Sequence, residues 1–509
     1  MTVLVLGDQL NADVGPLASR PDDSVLMIEA TEFARKLPYH PHKLTLVFSA
    51  MRHFRDKLRN AGRTVAYRQV GTFSKGIADH LEAHPGDDLV VMRPPSHRGD
   101  VRLHKLVEDH DESLQIVENE LFLCPRPTFE EWAGDRSSYR HEDFYRFMRR
   151  ETGYLMTGDE PVGGEWNYDE QNRETPPDDY APSEPPAFEP DEMTREVESW
   201  VEKNFEGSYE APPYGGEWTD PGPFRWPVTH EQALAALEAF VTDRLDGFGP
   251  YQDAMVADEW ALSHSLLSPA INLGLLHPRT VLDRVTEAAR ERDVPLNSVE
   301  GFVRQVLGWR EFMRHVYRRE MPELSQANQL DQTQPLPPLY WTGETDMACL
   351  ADVIDGVRTR GYSHHIERLM VLSNFATLLG VEPQALNRWF HAAYVDAFHW
   401  VTTPNVVGMG TFGSGVLSTK PYVASANYVD KMSDYCGDCP YYKTKTTGED
   451  ACPFNALYWD FLDRNGDHLA DNHRMGLVYN HLENKDESER AEIGDRADTL
   501  RDRVRREEL

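Results

Sequence analysis

Four of the five cysteines in this 509-residue chain, Cys349, Cys436, Cys439 and Cys452, fall in its last third in a pattern suited to holding an inorganic cluster. Cys436 and Cys439, with Gly437 and Asp438 between them, place two sulfurs within one turn. Cys452 precedes Pro453, the Cys-Pro ending that bacterial ferredoxin runs also show. Two metals fit this set: zinc, usually held by two close pairs of ligands, and an iron–sulfur cluster, which tolerates one distant ligand such as Cys349. Disulfides are the third option, although nothing else in the chain looks secreted. Cys124 is left over and reads as a buried thiol.

A second group of residues lies between the cysteines and the middle of the chain. Tyr251 precedes His264, Ser265, Leu267 and Ser268, and small hydroxyls beside a helix start suit a pyrophosphate, because free amides and the helix dipole favour anions there. An ordinary helix cap has the same residue types. Further on come Trp309, Arg310, Tyr340, Trp341, the pair His364 and His365, and Arg368. Trp389 and Trp400 follow, with Asp396 between them and Asn405 behind. Arg368 with Asp396 has the look of a buried ion pair, and a plain salt bridge between helices reads the same way. Adjacent helix residues point about 100° apart, so only one of His364 and His365 can address the pocket of Arg368. Aromatics at this spacing serve either as core or as a route for electrons.

The elements that position these residues follow from periodicity. Val3 to Leu6 run into Gly7 and Asp8, a buried strand ending in a tight loop. Short apolar runs recur at Ser24 to Ile28, Leu44 to Phe48, Thr64 to Tyr67 and Asp88 to Met92, separated by stretches long enough for helices. That alternation predicts a parallel α/β sheet of Rossmann-like type. Ligands of such sheets sit at the carboxyl ends of strands, which makes Gly7, Asp8, Gln9, Glu29 and Met51 candidates; a sheet without ligand is the alternative. Between Pro161 and Pro227 lie 12 of the 34 prolines, mixed with acidic residues, the composition of a linker in which Trp166 serves as an anchor. From about Glu231 the periodicity is helical. The expected domains are therefore residues 1–125 (α/β), 126–230 (linker) and 231–509 (all-α). After Lys485 the charge density predicts a solvated helix or a frayed tail.

Eighty-five acidic against 52 basic side chains give a net charge of −33, the balance of a halophilic surface. Such a surface repels nucleic acid at low salt, but at molar salt the Debye length is about 3 Å and the repulsion vanishes. Any DNA contact then relies on shape, hydrogen bonds and stacking. No apolar run approaches the roughly 20 residues needed to span a bilayer, and no signal peptide is visible, so a cytoplasmic protein is expected.

Taken together, in this order and with Lys431 to Cys436 behind them, these residues resemble the photolyase and cryptochrome family. The match is closest to its prokaryotic iron–sulfur branch, the bacterial-type 6-4 photolyases. The resemblance runs from Gly7, Asp8, Gln9 and Leu10 to Cys452, Pro453, Phe454 and Asn455. It implies a U-shaped FAD in the helical domain, with Tyr251, Ser265, Leu267 and Ser268 on its phosphates and ribityl chain and His264 beside them. Arg310 and Arg368 would flank the flavin, Asp396 would pair with Arg368, and Asn405 and Thr402 would compete for the position facing flavin N5.

The resemblance also implies that His365 faces the lesion as a proton donor or shuttle. Animal relatives carry a second histidine four residues on, whereas this chain has Leu369. Trp389 and Trp341 match the branch's electron route to the photoexcited flavin; Phe390 is not redox-active. The four cysteines would ligate a 4Fe–4S cluster with a structural role. Gly7, Asp8, Gln9, Glu29, His42 and Met51 would line a site for the antenna 6,7-dimethyl-8-ribityllumazine, which no bulky aromatic at position 51 closes. The partner would be UV-damaged DNA, the protein a monomer, and the activity light-driven reversal of 6-4 photoproducts. A photoreceptor of the same fold is the rival reading.

Overall fold

The computed structural model describes every residue except 109, 111, 137, 178 and 206–217, so that part of the proline-rich linker lies outside the described residues. The N-terminal apolar runs assemble into five parallel strands, β1 (Thr2–Val5), β2 (Ser24–Ala30), β3 (Val65–Val70), β4 (Leu89–Met92) and β5 (Leu114–Val117), in the order β3-β2-β1-β4-β5. Thr2 stands opposite both Ser24 and Leu89. β1 is buried along its whole length, which explains why its residues run apolar without alternating. The order reverses between β1 and β4, which opens a crevice at their carboxyl ends. Gln9 closes it, donating from Nε2 to the Met92 carbonyl at 2.9 Å.

One expected strand is a helix. Leu44 to Phe48 lies inside the helix Pro41–Asn60, started by Pro41 and by His40, whose Nδ1 accepts from the His42 amide. Leu44, Phe48 and Met51 fall on one buried face at helical spacing, and a five-residue apolar window cannot separate that pattern from a strand. The strand that short-run reading missed is β5.

The proline-rich stretch also contains structure. The helix Glu192–Phe205 packs on Pro41–Asn60, with Trp200 edge-on to Phe48 at 5.2 Å. The C-terminal charged stretch is a helix, Glu487–Arg505, and it is anchored: Ile493, Ala497, Leu500 and Val504 form a buried stripe at helical spacing. Each large member of such a stripe stabilises the docked helix by roughly 1.5–3 kcal/mol. Among the described residues no helix is long and apolar enough to cross a membrane.

From His230 onward the described chain is helical, and three helices contain a widened π turn: Arg304–Arg310, Glu367–Ser373 and Pro404–Gly410. Widened turns of this kind recur at functional sites because the extra residue leaves backbone groups and side chains redirected. Each of the three carries a candidate residue, Arg310, Arg368 and Asn405 respectively. The first and third are tied together by Trp309 Nε1, which donates to Asn405 Oδ1 at 3.0 Å. The helix Asn374–Leu379, which continues the second, meets the third where Thr377 Oγ1 donates to the Gly410 carbonyl at 3.1 Å.

Candidate active site

Asp396 sits in the irregular turn between the helices Pro383–Ala393 and His399–Thr403. Its carboxylate accepts from Arg368 Nη1 at 3.0 Å and Nη2 at 3.1 Å, and from Ser268 Oγ at 2.7 Å. Its carbonyl accepts from Asn272 Nδ2 at 3.0 Å. Arg368 Nε donates to the Ser363 carbonyl at 2.7 Å, and the guanidinium lies over the Tyr394 ring at 4.1 Å. The two-pronged pairing and the ring beneath it hold a flat positive charge in one orientation. Sequence reasoning named Ser268, Arg368 and Asp396; Asn272, Ser363 and Tyr394 join them only through the fold.

The loop before Ser268 is strained. Leu262 (φ 40°) and Leu266 (φ 55°) adopt left-handed backbone, at roughly 1–2 kcal/mol each for a residue with a Cβ. Buried Arg244 offsets this by donating to the His264 carbonyl at 2.8 Å. The helix Ser268–Leu273 starts without a side-chain cap because Leu267, which has no acceptor, stands at the cap position; the Ser268 hydroxyl is turned to Asp396. Ser265 Oγ accepts from the Leu267 amide at 3.4 Å, and the Tyr251 ring packs against Tyr180 at 4.5 Å.

The two adjacent histidines differ in exposure, yet their rings meet in one group, because His364 precedes the helix and the 100° step does not apply to it. His364 is fully buried and stacks on His264 with ring centroids 4.5 Å apart. The His365 side chain is 49% exposed, and its Nε2 lies 3.3 Å from Asp253 Oδ1. The helical run begins at His365, so His364 stands just before it, where its amide donates to Glu367 Oε2 at 3.0 Å. Burial, reinforced by the neighbouring histidines, pushes His264 and His364 well below the ordinary histidine range. Burial also raises the Glu367 carboxyl to about 8. Ring nitrogens of His264, His364 and His365 lie within 4.8 Å of one another. Both nitrogens of His264 face carbonyl oxygens, those of Ala261 and Gln252, so that ring is committed to the backbone.

Arg310 belongs to a separate cluster. It donates to Glu311 and to the Leu121 carbonyl, and lies over Phe122 at 4.2 Å and Trp400 at 5.3 Å. Asn405 accepts from Trp309 and donates to the Val401 carbonyl at 2.8 Å, so both ends of its amide are engaged. Trp389 is fully buried, 5.8 Å from the Tyr394 ring that lies under Arg368. Its Nε1 donates to the Tyr340 carbonyl at 3.0 Å, one residue from half-buried Trp341, which meets Trp218 edge-on at 5.2 Å. A continuous set of contacts thus leads from Arg368 through Tyr394 and Trp389 towards Trp341.

The four cysteines converge. Cys349 on the helix Ala348–Arg360, Cys436, Cys439 and Cys452 line one small cavity with Tyr435, Tyr441 and Phe454. Burial, with the neighbouring cysteines acting in the same direction, pushes the Cys349 thiol far up, a cost that a bound cation removes. Sulfurs on one tetrahedral zinc stand about 3.8 Å apart. The cysteines form no such group: among the described residues the histidine trio alone has three ligand atoms within 4.8 Å.

In the sheet domain, Met51 comes from the helix Pro41–Asn60 and not from a strand end. Its Sδ would lie 3.1 Å from a Cβ on Gly7, so its flexible side chain is the wall there. Burial raises the Asp8 carboxyl to about 6. Glu29 is buried and saturated, accepting from Arg52 (2.7 and 3.0 Å), Tyr67 (2.5 Å) and Gln69 (3.0 Å). His42 packs on Phe224 and reaches the Gly222 carbonyl at 2.9 Å, away from this group.

Residues 3–211 match the family described as deoxyribodipyrimidine photo-lyase-related protein. The (6-4) photolyase of Agrobacterium fabrum is 40% identical over 486 residues, which cover 94% of each chain. The chain belongs to the photolyase and cryptochrome family. Two solved members have the same fold. A class III photolyase of Agrobacterium tumefaciens superposes with a TM-score of 0.59 at 18% identity, over 95% of this chain and 98% of that one. The cryptochrome of Synechocystis sp. gives 0.55 at 15% identity, over 85% and 88%. Photolyases and cryptochromes carry FAD, and the helical domain here fits it. His364 Nδ1 is buried without a protein partner, and Arg368, a cation fixed by Asp396, is tied to His364 by its amide, which donates to the His364 carbonyl at 3.1 Å.

Proposed function

We propose that this protein is a light-driven DNA repair enzyme that reverses 6-4 photoproducts. The near full-length similarity to a (6-4) photolyase supports the reaction class, and the observation that carries the site is the division of labour between His364 and His365. The lesion, flipped out of the duplex, would enter where His365 is open to solvent. Asp253 holds the His365 ring by one nitrogen and leaves the other to give or take a proton. His264 and His364, kept neutral by burial, add no competing charge beneath it. FAD, when bound, would supply light-driven one-electron chemistry here. Arg368, fixed by Asp396, favours a reduced, anionic flavin beside it, and Ser268 and Asn272 hold Asp396 in turn.

In the same proposal Trp389 and Trp341 carry electrons inward, and Cys349, Cys436, Cys439 and Cys452 ligate a 4Fe–4S cluster that pins residues 435–459 to the domain. The spread of the sulfurs favours a cluster over a single zinc. Asp8, Gln9 and Met51 line the lumazine site, while Glu29 shapes it through Arg52 and Tyr67. The test is blue-light conversion of two oligonucleotides, one with a 6-4 photoproduct and one with a cyclobutane dimer, in high-potassium buffer with reductant. Conversion of the 6-4 substrate alone, abolished by His365→Ala with FAD content unchanged, is the expected result. Conversion of neither substrate by the wild-type holoprotein would make it a photoreceptor instead.

A further inference from the structure

The helix Pro41–Asn60 belongs to the sheet domain, yet one of its side chains ends inside the helical domain. Lys43 is buried, and its ammonium donates to the carbonyl oxygens of His391 at 2.6 Å and Ala397 at 2.8 Å. The Tyr39 ring lies 5.0 Å from it. The two carbonyls bracket the turn that carries Asp396, and that turn has no regular structure of its own between its flanking helices. Its position is therefore set by the groups that bond it. Arg368, Ser268 and Asn272 hold it from one side, and Lys43 holds it from the other.

We propose that Lys43 is a positioning residue of the flavin site, which sets the place and the charge environment of Asp396, and through Asp396 those of Arg368. This rests on the reading of Arg368 and Asp396 as flavin partners. Losing Lys43 would take one shared donor from the two carbonyls that bracket the turn and remove a positive charge that acts on Asp396.

The charge of Lys43 is adjustable. Burial lowers it to about 7, with Asp396 opposing the shift. The other titratable groups around it are His391 and His399, whose rings lie 4.1 Å apart, and Tyr39. Burial, with Lys43 acting in the same direction, lowers both histidines, while Lys36 and Arg102 act on His399 from its outer side. Lys43 is therefore the member of this group that changes charge near neutral pH, and it does so while touching the turn that holds Asp396.

The experiment measures the midpoint potential of the bound flavin in the holoprotein, from about pH 5.5 to about pH 8.5, so as to bracket that titration. Wild type is compared with Lys43→Met and Lys43→Arg. The guanidinium stays charged throughout, so the Arg variant shares the flavin's own proton dependence but lacks the lysine's. The expected result is a wild-type curve that follows Lys43→Arg at acid pH and falls to the more negative Lys43→Met curve above neutrality. Superposition of wild type and Lys43→Met across the range overturns the proposal. If Lys43→Met does not fold, the comparison with Lys43→Arg decides alone, and parallel curves overturn it. Arg368→Met is the control for the underlying reading. An unchanged potential in that variant refutes the flavin-partner assignment, whereas a shifted potential there with no effect at Lys43 refutes the Lys43 proposal only.

Discussion

Replacing Asp396 by Ala removes the carboxylate from the centre of the site and leaves Arg368 without its partner. The Asp396 side chain is 8% exposed and that of Arg368 is 25% exposed. Stripping one partner from a buried ion pair costs about 3–5 kcal/mol, and the partial access of water to Arg368 places this case near 3 kcal/mol. Ser268 also loses its acceptor, about 1 kcal/mol more, for a total of roughly 4 kcal/mol. Arg368→Met leaves the carboxylate with Ser268 as a remaining side-chain partner. In the double variant no unpaired charge remains, and the loss should be only about 1–2 kcal/mol. Urea unfolding of the four proteins, followed by circular dichroism at one salt concentration, gives the coupling directly. Single-variant losses that add to the double-variant loss within about 0.5 kcal/mol would refute the claim that the two charges depend on each other.

Three further outcomes follow from named contacts. Cys349→Ser should abolish bound iron while FAD is retained, and zinc in place of iron in the wild-type protein by elemental analysis would end the cluster reading. Gly249→Ala would put a Cβ 2.6 Å from the Ser298 amide nitrogen, a backbone atom that cannot swing aside, and should cost about 2–3 kcal/mol. Gly71→Ala, with nothing within 4 Å, is the matched control. Glu367, raised by burial from 4.5 to about 8, holds a proton in the folded state that the unfolded chain releases. Its contribution to stability is full below about pH 4.5 and is lost as pH rises to about 8. Glu367→Gln should therefore flatten the decline in urea midpoint between those limits, and an unchanged slope would assign the decline to other groups.

Chemistry carried by residue type was legible in the chain. The cysteine set and the Arg368 and Asp396 pair were named from residue type with rival uses beside them, and the structure brings each of these two sets together. The parallel sheet was legible through four of its strands, because buried parallel strands are unbroken apolar runs. The helix Pro41–Asn60 was misread at Leu44 to Phe48 for the same reason: an apolar window reports burial and carries no period when it is five residues long.

The rest of the site depends on bonds between segments distant in sequence. The π turns at Arg304–Arg310, Glu367–Ser373 and Pro404–Gly410 leave no mark in the local pattern, since one inserted residue is stabilised by what packs against it. Which of His364 and His365 is open to solvent follows from where the helix starts, a position set by Glu367 and by the stack on His264. Lys43 reads as an ordinary charged residue near the start of a helix; its burial against His391 and Ala397 exists only because the two domains pack there. Which groups are available for chemistry is set by residue type, because ligand type and charge are intrinsic to side chains. Their orientation, burial and charge state were decided by the fold, because those depend on neighbours that no local stretch of sequence contains.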